Sequence, residues 1–410
     1  MLLPKAPVIF VAAYILLSCF PYLRLFPINT DLQPNAAIVG CVILFLNPNK
    51  LASIRWYTLV YGLFAILLVF FPFDPYHYNA NGVIRGLGSA ASFVICIIAW
   101  NSIRFESLRL LVKNYYLISV LLVYIICGLL QMFYNPDLFS MFLSRPFGYA
   151  GNEGRGVESL TAEPTYLAIQ VVLIMRFACV INPSNLNKLT LALAGFIVAF
   201  VAKSTTVVAS LVFSAIIVTL PLTISGLMLR SIRKAWLLIT FLALIFMTAF
   251  LVKNASGGES RVGRVFQEVV NGGISGLVES DWSVRDRLNH IDTSIGLAVR
   301  DWLRPHGYGM FQAMINEYQS PLFKKEYVDF ADPNGRIMSG YGGLLFEFGW
   351  FAIIPIWMIT RNFLAPGDIF ENLFWLILIT VLLVQCVPLA NPLVAFLASN
   401  HAKYFKNGTT

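Results

Sequence analysis

Charged side chains are scarce in this chain. Of its 410 residues, Asp, Glu, Lys and Arg make up 12%, whereas an average soluble domain contains roughly 25%. Hydrophobic residues make up 58%, and the mean hydropathy is +0.73. They occur in long runs, which indicates membrane-spanning segments rather than several soluble cores. The composition excludes a soluble enzyme and predicts a polytopic α-helical membrane protein.

The usual signatures of ATP-driven and metal-dependent chemistry are missing from the sequence. It has no Walker A loop, no His-Glu-x-x-His, no paired Cys/His set and no Asp-x-Asp for a metal-bound nucleotide sugar. The six cysteines lie in apolar segments without a Cys-x-x-Cys pattern. We therefore expect buried free thiols, no metal and no cofactor. The net charge of +8 is interpreted as loop charge that orients the chain, and not as a nucleic-acid surface.

The apolar runs predict an all-α transmembrane bundle of about eleven spans, within a range of ten to twelve. The spans are expected near 7–23, 35–47, 56–73, 83–100, 115–133, 164–181, 188–202, 206–229, 235–252, 340–359 and 372–398. The second is short, and Pro388 and Asn391-Pro392 break the last. Because no cleavage site follows the apolar stretch from Val8, the first segment is interpreted as a retained span.

Cations are distributed unevenly over the loops. With the N-terminus inside, the cytoplasmic segments hold Lys5, Lys50, Arg55, Arg104, Arg109, Lys113, Lys188, Arg230, Arg233, Lys234 and Arg361. The opposite short loops hold few cations, and this asymmetry orients the chain by the positive-inside rule. The predicted organisation is spans 1–5 in 1–133, a third outer loop in 134–163, spans 6–9 in 164–252, a large fifth outer loop in 253–339 and the C-terminal spans in 340–410.

The two long outer loops are expected to carry the function. The third is glycine-rich, and no regular structure is predicted for it. The fifth has an amphipathic pattern that predicts a helix from Ser280 to Leu303, ended by Pro305 and followed by a turn at Gly307-Tyr-Gly309. One side of this helix carries Leu288, Ile291, Ile295, Val299 and Trp302, and the other carries Arg285, Arg287, Asn289, Asp292 and Arg300.

Arginine recurs on the predicted outer face. It occurs at two outer span ends and in both long loops, as Arg24, Arg85, Arg145, Arg155, Arg285, Arg287, Arg300 and Arg304. Arginine stays charged and binds phosphate oxygens through two parallel hydrogen bonds, so this set predicts binding of an anionic lipid headgroup. The alternative is that each arginine is an ordinary solvated loop charge.

One spacing occurs in both long loops, because ten residues separate Arg145 from Gly156 and Arg285 from Gly296. Eleven positions are about three helical turns. Arg285 and Gly296 are therefore expected on one face of the predicted helix, with the glycine leaving room for a substrate.

These motifs resemble those of a known family. The two arginine-glycine pairs look like the motifs of Wzy-type O-antigen polymerases, which occur in the third and fifth periplasmic loops. The turn from Arg304 to Gly309 and the Glu347-Phe-Gly349 segment are similar to motifs of the wider O-antigen polymerase and ligase superfamily. The ligases typically have a His-Asn pair shortly before Glu-x-Gly, whereas this chain has no histidine in 336–339. The resemblance therefore favours a polymerase over a ligase.

The resemblance implies a GT-C-like glycosyltransferase of the bacterial inner membrane with its active face in the periplasm. A hydroxyl of one undecaprenyl-pyrophosphate-linked glycan would attack the anomeric carbon of another and expel lipid pyrophosphate, without a metal. Expected partners are these lipid-linked glycans and membrane lipids, and a chain-length regulator is a further partner that the resemblance allows. The alternatives are a ligase of the same superfamily and a lipid-linked glycan flippase or secondary transporter.

One side chain must accept the hydroxyl proton. Glu163 is the first candidate, because it lies beside the third loop at the start of a span, and its alternative role is a first-turn carboxylate with Thr161 as N-cap. Glu158 shares that loop. Glu347 lies inside a span, where it accepts a proton or pairs with a buried arginine. His306 is in the turn, and His290 is expected on the surface of the loop helix.

Overall fold

The computed structural model describes residues 8–25, 32–49, 54–70, 80–143, 156–182, 187–224, 282–315, 337–363, 369–385 and 387–399. In these ranges the regular structure is entirely helical, apart from one isolated antiparallel bridge between Leu23 and Leu143. The predicted all-α class is therefore confirmed for the described part of the chain.

The described α-helices are numbered here in chain order. They are α1 (Val8–Cys19), α2 (Asn35–Leu46), α3 (Trp56–Leu67), α4 (Ala80–Ser102), α5 (Phe105–Leu111), α6 (Asn114–Phe133), α7 (Pro164–Ile181), α8 (Lys188–Phe196), α9 (Thr205–Ile224), α10 (Trp282–Arg300), α11 (Phe311–Ile315), α12 (Gly340–Phe348), α13 (Ile353–Thr360), α14 (Ile369–Gln385) and α15 (Pro392–Ala398). Short 3-10 segments are Leu68–Phe70, Ser140–Phe142 and Gly349–Ala352, and a π-helical segment covers Ile197–Val201.

Four helical segments are long and apolar enough to cross a membrane. They are Ala80–Ser102, Asn114–Phe133, Pro164–Ile181 and Gly340–Thr360. Six shorter apolar helices are Val8–Cys19, Asn35–Leu46, Trp56–Phe70, Lys188–Val201, Thr205–Val218 and Glu371–Gln385. Each of these ten segments overlaps a predicted span, whereas the predicted span 235–252 lies outside the described residues. The count of about eleven therefore stays a prediction.

Helix α7 lies at the centre of the bundle, with nearly every side chain buried. Its Gln170 amide donates to the carbonyl oxygens of Ser18 and Cys19, both at 3.1 Å, and the Asn391 amide donates to the Gln170 oxygen at 2.8 Å. Such bonds between apolar helices satisfy polar groups that lipid could not satisfy. The bonds from Gln170 and Asn391 connect α7 to the end of α1 and the start of α15.

Helix α10 confirms the predicted helix of the fifth loop, but its polar side faces the protein. Asp286, Asn289, His290, Thr293 and Ser294 are buried, whereas Val299 and Trp302 are 63% and 84% exposed. The expectation that His290 lies on the surface is therefore wrong, because this side chain is only 2% exposed. Leu297 and Ala298 are buried on the same side, so the buried side of α10 combines polar and apolar residues.

Helix α10 runs alongside α12 in the same direction. A Cβ at Gly342 would overlap the Ser294 hydroxyl, and further along the Trp350 N–H donates to the Leu303 carbonyl at 2.9 Å. Since Trp350 follows Gly340 by ten residues, the chain after α10 lies about 10–15 Å along the candidate span that begins at Gly340. The second half of the loop helix therefore packs beside a span.

Candidate functional site

Arg287 of the loop helix α10 joins the first turns of two apolar helices. Its Nη2 lies 3.3 Å from Oε2 of Glu163 and 3.3 Å from Oγ1 of Thr165, and its Nη1 lies 3.1 Å from Oγ1 of Thr206. The Arg287 and Glu163 side chains are 14% and 32% exposed. We call these four residues the Arg287 cluster. The structure thus brings together an arginine and the carboxylate that the sequence singled out separately.

The Arg287 cluster lies at two helix N-termini. Glu163 is the N-cap residue of α7, with Pro164 at its first position, and Thr165 and Thr206 are the second residues of α7 and α9. Helix N-termini carry partial positive charge, so a guanidinium there is disfavoured unless an anion accompanies it. Glu163 supplies that anion within the chain. Amide dipoles, hydroxyls and a guanidinium together are the groups that bind phosphate.

Buried backbone contacts fix the loop that leads into α7. A Cβ at Gly156 would overlap the Ala202 carbonyl, and the Val157 N–H donates to the Val201 carbonyl at 2.9 Å, where the π-helical segment ends. Ser159 has a positive φ of 53° and donates its hydroxyl to the Tyr124 carbonyl at 2.8 Å. The glycine at 156 is therefore required by close backbone packing.

Glu158 is a second carboxyl group beside Glu163, and it is buried. Burial, followed by repulsion from Glu163 and Asp137, raises the pKa of Glu158 to about 8. Glu158 is thus mostly protonated at neutral pH, while Glu163 lies against the Arg287 guanidinium. Two neighbouring carboxyls in different surroundings are typical of sites that move protons.

Thr161 does not cap α7 as expected. The N-cap is Glu163, and the Thr161 hydroxyl lies 2.8 Å from the Glu158 carbonyl oxygen and 2.9 Å from that of Glu163. A hydroxyl held between these two carbonyls stabilises the loop instead. Thr161 therefore fixes the backbone positions of both carboxyl residues.

The other predicted arginines lie elsewhere. Arg300 and exposed Arg304 lie at the opposite end of α10, about 20 Å along the axis from Arg287. Arg300 binds both carboxylate oxygens of Asp301, at 2.8 and 3.1 Å. Arg285 is half-buried on α10. Arg145 and Arg155 lie outside the described residues.

His306 connects the turn to the following span. Its Nε2 lies 2.8 Å from Asp301 Oδ2, its Nδ1 lies 3.1 Å from the Phe346 carbonyl oxygen, and its ring stacks on Phe346 at a centroid distance of 4.5 Å. Both ring nitrogens are therefore in contact with oxygen atoms of the protein. A hydrogen bond from Arg300 lowers the pKa of Asp301 most, and one from His306 lowers it further. In this geometry His306 joins structural elements and offers no free nitrogen to a substrate.

The turn at 306–309 and the Glu-x-Gly segment contact each other directly. The Gly307 N–H donates to the Glu347 carbonyl at 3.1 Å, and Gly349 has a φ of 54° at a point where a Cβ would overlap the Leu303 carbonyl. The Glu347 side chain lies within electrostatic range of Arg85, although the described residues show no ion pair between them. An arginine is therefore near Glu347, as the pairing alternative expects, without direct contact.

His290 and Asp286 form a buried pair that the sequence reasoning missed. His290 Nε2 lies 3.7 Å from Asp286 Oδ1, and the His290 ring stacks on Phe311 at 5.6 Å. The signal was the spacing of four residues, which places both side chains on one face of α10. The pair lies within one turn of Arg287.

No family model, curated protein or solved structure matches this chain. Among the described residues, no three His, Cys, Asp or Glu side chains are grouped as metal ligands.

Proposed function

We propose that this chain is a glycosyltransferase that polymerises undecaprenyl-pyrophosphate-linked oligosaccharide repeats, such as those of O-antigen, at the periplasmic face of the bacterial inner membrane. The observation that carries the proposal is the Arg287 cluster, in which a guanidinium, two hydroxyls and two helix N-termini surround one carboxylate. Such groups match a pyrophosphate, and apolar helices provide a surface for its lipid tail.

In the proposed reaction, a hydroxyl oxygen of one lipid-linked glycan bonds to the anomeric carbon of another. The bond from that carbon to the pyrophosphate oxygen breaks, and its electron pair leaves with the lipid pyrophosphate. Arg287 stabilises the charge that develops on the leaving group, because its donors are already positioned. Glu163 accepts the hydroxyl proton.

Purified protein supplied with lipid-linked repeats tests the proposal. We expect Arg287→Ala to lower the rate of extension about 100-fold, the loss typical of one positioned charge donor. Arg287→Lys keeps the charge but loses the planar fork, so it should remain about tenfold impaired.

The matched control is Arg109→Ala, which removes an exposed arginine on α5 and should extend repeats at the wild-type rate. If Arg287→Ala extends repeats at the wild-type rate, at an equal amount of folded protein, the assignment of Arg287 to pyrophosphate binding is wrong. In cells, loss of the polymerase leaves one repeat on the carrier or core, whereas loss of a ligase or flippase leaves none at the surface.

A flippase or secondary transporter is the second candidate, and one observation favours it. Arg176 lies inside the candidate span α7 at 4% exposure, and its Nη1 is 3.3 Å from Oε1 of Glu371. Ionisable groups in spans often mark transport pathways. Transport requires two compartments, whereas the extension of repeats by purified protein in detergent does not. If the purified protein extends repeats, transport is therefore not its sole activity.

A further inference from the structure

Glu163 occupies the position that the proposed pyrophosphate needs. Arg287 has two terminal nitrogens, and both contact the protein, Nη1 with Thr206 and Nη2 with Glu163 and Thr165. A bidentate phosphate contact uses two parallel donors of one guanidinium. A phosphate that pairs with both terminal nitrogens therefore competes with the Glu163 carboxylate for Nη2.

Building on the proposed function, we infer that Glu163 is a resident counter-anion of Arg287, which the donor's pyrophosphate displaces and thereby releases as the proton acceptor. The exchange conserves charge pairing, because one anion replaces another at the guanidinium. The 3.3 Å contact and the partial exposure of both side chains suit a pair that can open. The carboxylate is freed beside the anomeric carbon only after a donor has bound.

Two features of the site favour the exchange of Glu163 for the pyrophosphate. Glu163 is the N-cap residue of α7, so its backbone stays fixed while the side chain rotates. Glu158 is buried in the same loop and is protonated, so it does not repel the incoming phosphate at neutral pH. When the acceptor hydroxyl oxygen bonds to the anomeric carbon, its proton passes to Glu163 and the pyrophosphate leaves paired with Arg287. The mechanism therefore requires the donor to bind before proton transfer.

Inorganic pyrophosphate binding to the full-length protein in detergent tests this inference without the polymerisation reaction. We expect Glu163→Gln to bind pyrophosphate about fivefold more tightly than the wild type, because the Glu163 carboxylate no longer competes for Arg287. The same variant should extend lipid-linked repeats far more slowly, because it lacks the proton acceptor. Tighter anion binding together with slower extension is a pair of effects that a merely structural role of Glu163 would not produce.

Glu106→Gln is the matched control, since it makes the same substitution at an exposed carboxylate in the first turn of α5, and its pyrophosphate affinity should equal that of the wild type. Arg287→Ala should lose measurable binding.

Equal or weaker binding by Glu163→Gln, with wild-type binding intact, overturns the counter-anion role alone. If neither the wild type nor Glu163→Gln binds pyrophosphate, the anion site itself is wrong. If both bind as expected but no protein extends lipid-linked repeats, the polymerase assignment fails and the counter-anion role stands.

Discussion

The protonation state of Glu158 links a buried carboxyl to the behaviour of the site. Its pKa in the folded protein is about 8 against an ordinary value of 4.5, chiefly because of burial. An acid whose pKa is raised by folding stabilises the folded state. This stabilisation is fully present below the pKa of the unfolded chain and is lost as the pH rises through the pKa of the folded protein. The stabilisation contributed by neutral Glu158 is therefore lost between about pH 4.5 and about pH 8.

We predict that extension activity falls above about pH 8, because ionised Glu158 then adds a second negative charge beside Glu163 and weakens anion binding. Glu158→Gln keeps this carboxyl position neutral at every pH, so its alkaline decline should be absent or shifted upward. Rates measured from pH 6 to 10 for both proteins check this. An identical alkaline decline in the two proteins would assign it to another group.

Glu163 and Arg287 could each be singled out from the sequence, but neither their pairing nor the hydroxyls could be predicted. Glu163 is recognisable because Thr-Ala-Glu-Pro begins an apolar run. Thr165 and Thr206 are 122 and 81 positions from Arg287, and threonines in apolar helices usually bond to their own helix. Nothing local distinguishes a threonine that binds an arginine on another element.

The loop helix α10 and the helix α12 are joined at both ends of their contact. Ser294 fits against Gly342 near the start of α12, and Leu303 fits against Gly349 just after its end. Between these points, the backbone N–H groups of His306 and Gly307 donate to carbonyls of α12. The position of Arg287 therefore depends on this contact, since Arg287 is on the same rigid helix.

Gly349 is the residue of this contact that tolerates substitution least. Its φ of 54° and ψ of −128° are accessible almost only to glycine, and a Cβ would overlap the Leu303 carbonyl. We expect Gly349→Ala to destabilise the protein by about 1–3 kcal/mol and to lower extension activity by displacing α10. Thermal unfolding in detergent and the extension assay measure the two effects.

Gly88→Ala provides the comparison for that substitution. Gly88 lies inside α4, and a Cβ there meets no atom within 4 Å. Alanine is favoured over glycine in a helix, so this variant should be as stable as the wild type or slightly more stable. Equal melting temperatures of the Gly349→Ala and Gly88→Ala variants would show that the contact with Leu303 is dispensable.

Sequence periodicity located α10 because an amphipathic pattern is local, but it could not tell which side faces the protein. The pattern fixes which residues share a side of the helix, whereas the side that is buried depends on the distant elements that pack against it. This is why His290 was expected at the surface and is buried instead. The burial of Asp286 and Thr293 follows from the same reversal.

Across the whole molecule, long apolar runs predicted the helices well, because each run is a property of contiguous residues. Ten described apolar segments overlap predicted spans, and the predicted break in the last span lies between Gln385 and Pro392, where α14 ends and α15 begins. The short helix α5 was missed, because seven residues in a charged segment give no span signal. The assembly of loop residues into one cluster depends on contacts between distant elements, which a run of residues does not encode.

The orientation of the molecule decides whether the Arg287 cluster faces the compartment that the proposed substrate requires. The cation asymmetry predicts that the loops at 134–163 and 253–339 lie outside. Single cysteines introduced at Asn152 and Asp332 should therefore react with a membrane-impermeant thiol reagent in intact cells, whereas one at Ser231 should react only after lysis. The background protein should lack the six native cysteines, because Cys41 is exposed on α2 and could react by itself. Labelling of the position at 231 in intact cells, with protection at 152 and 332, would place the cluster on the cytoplasmic side. Periplasmic polymerisation would then be excluded whatever the pyrophosphate affinity of the site.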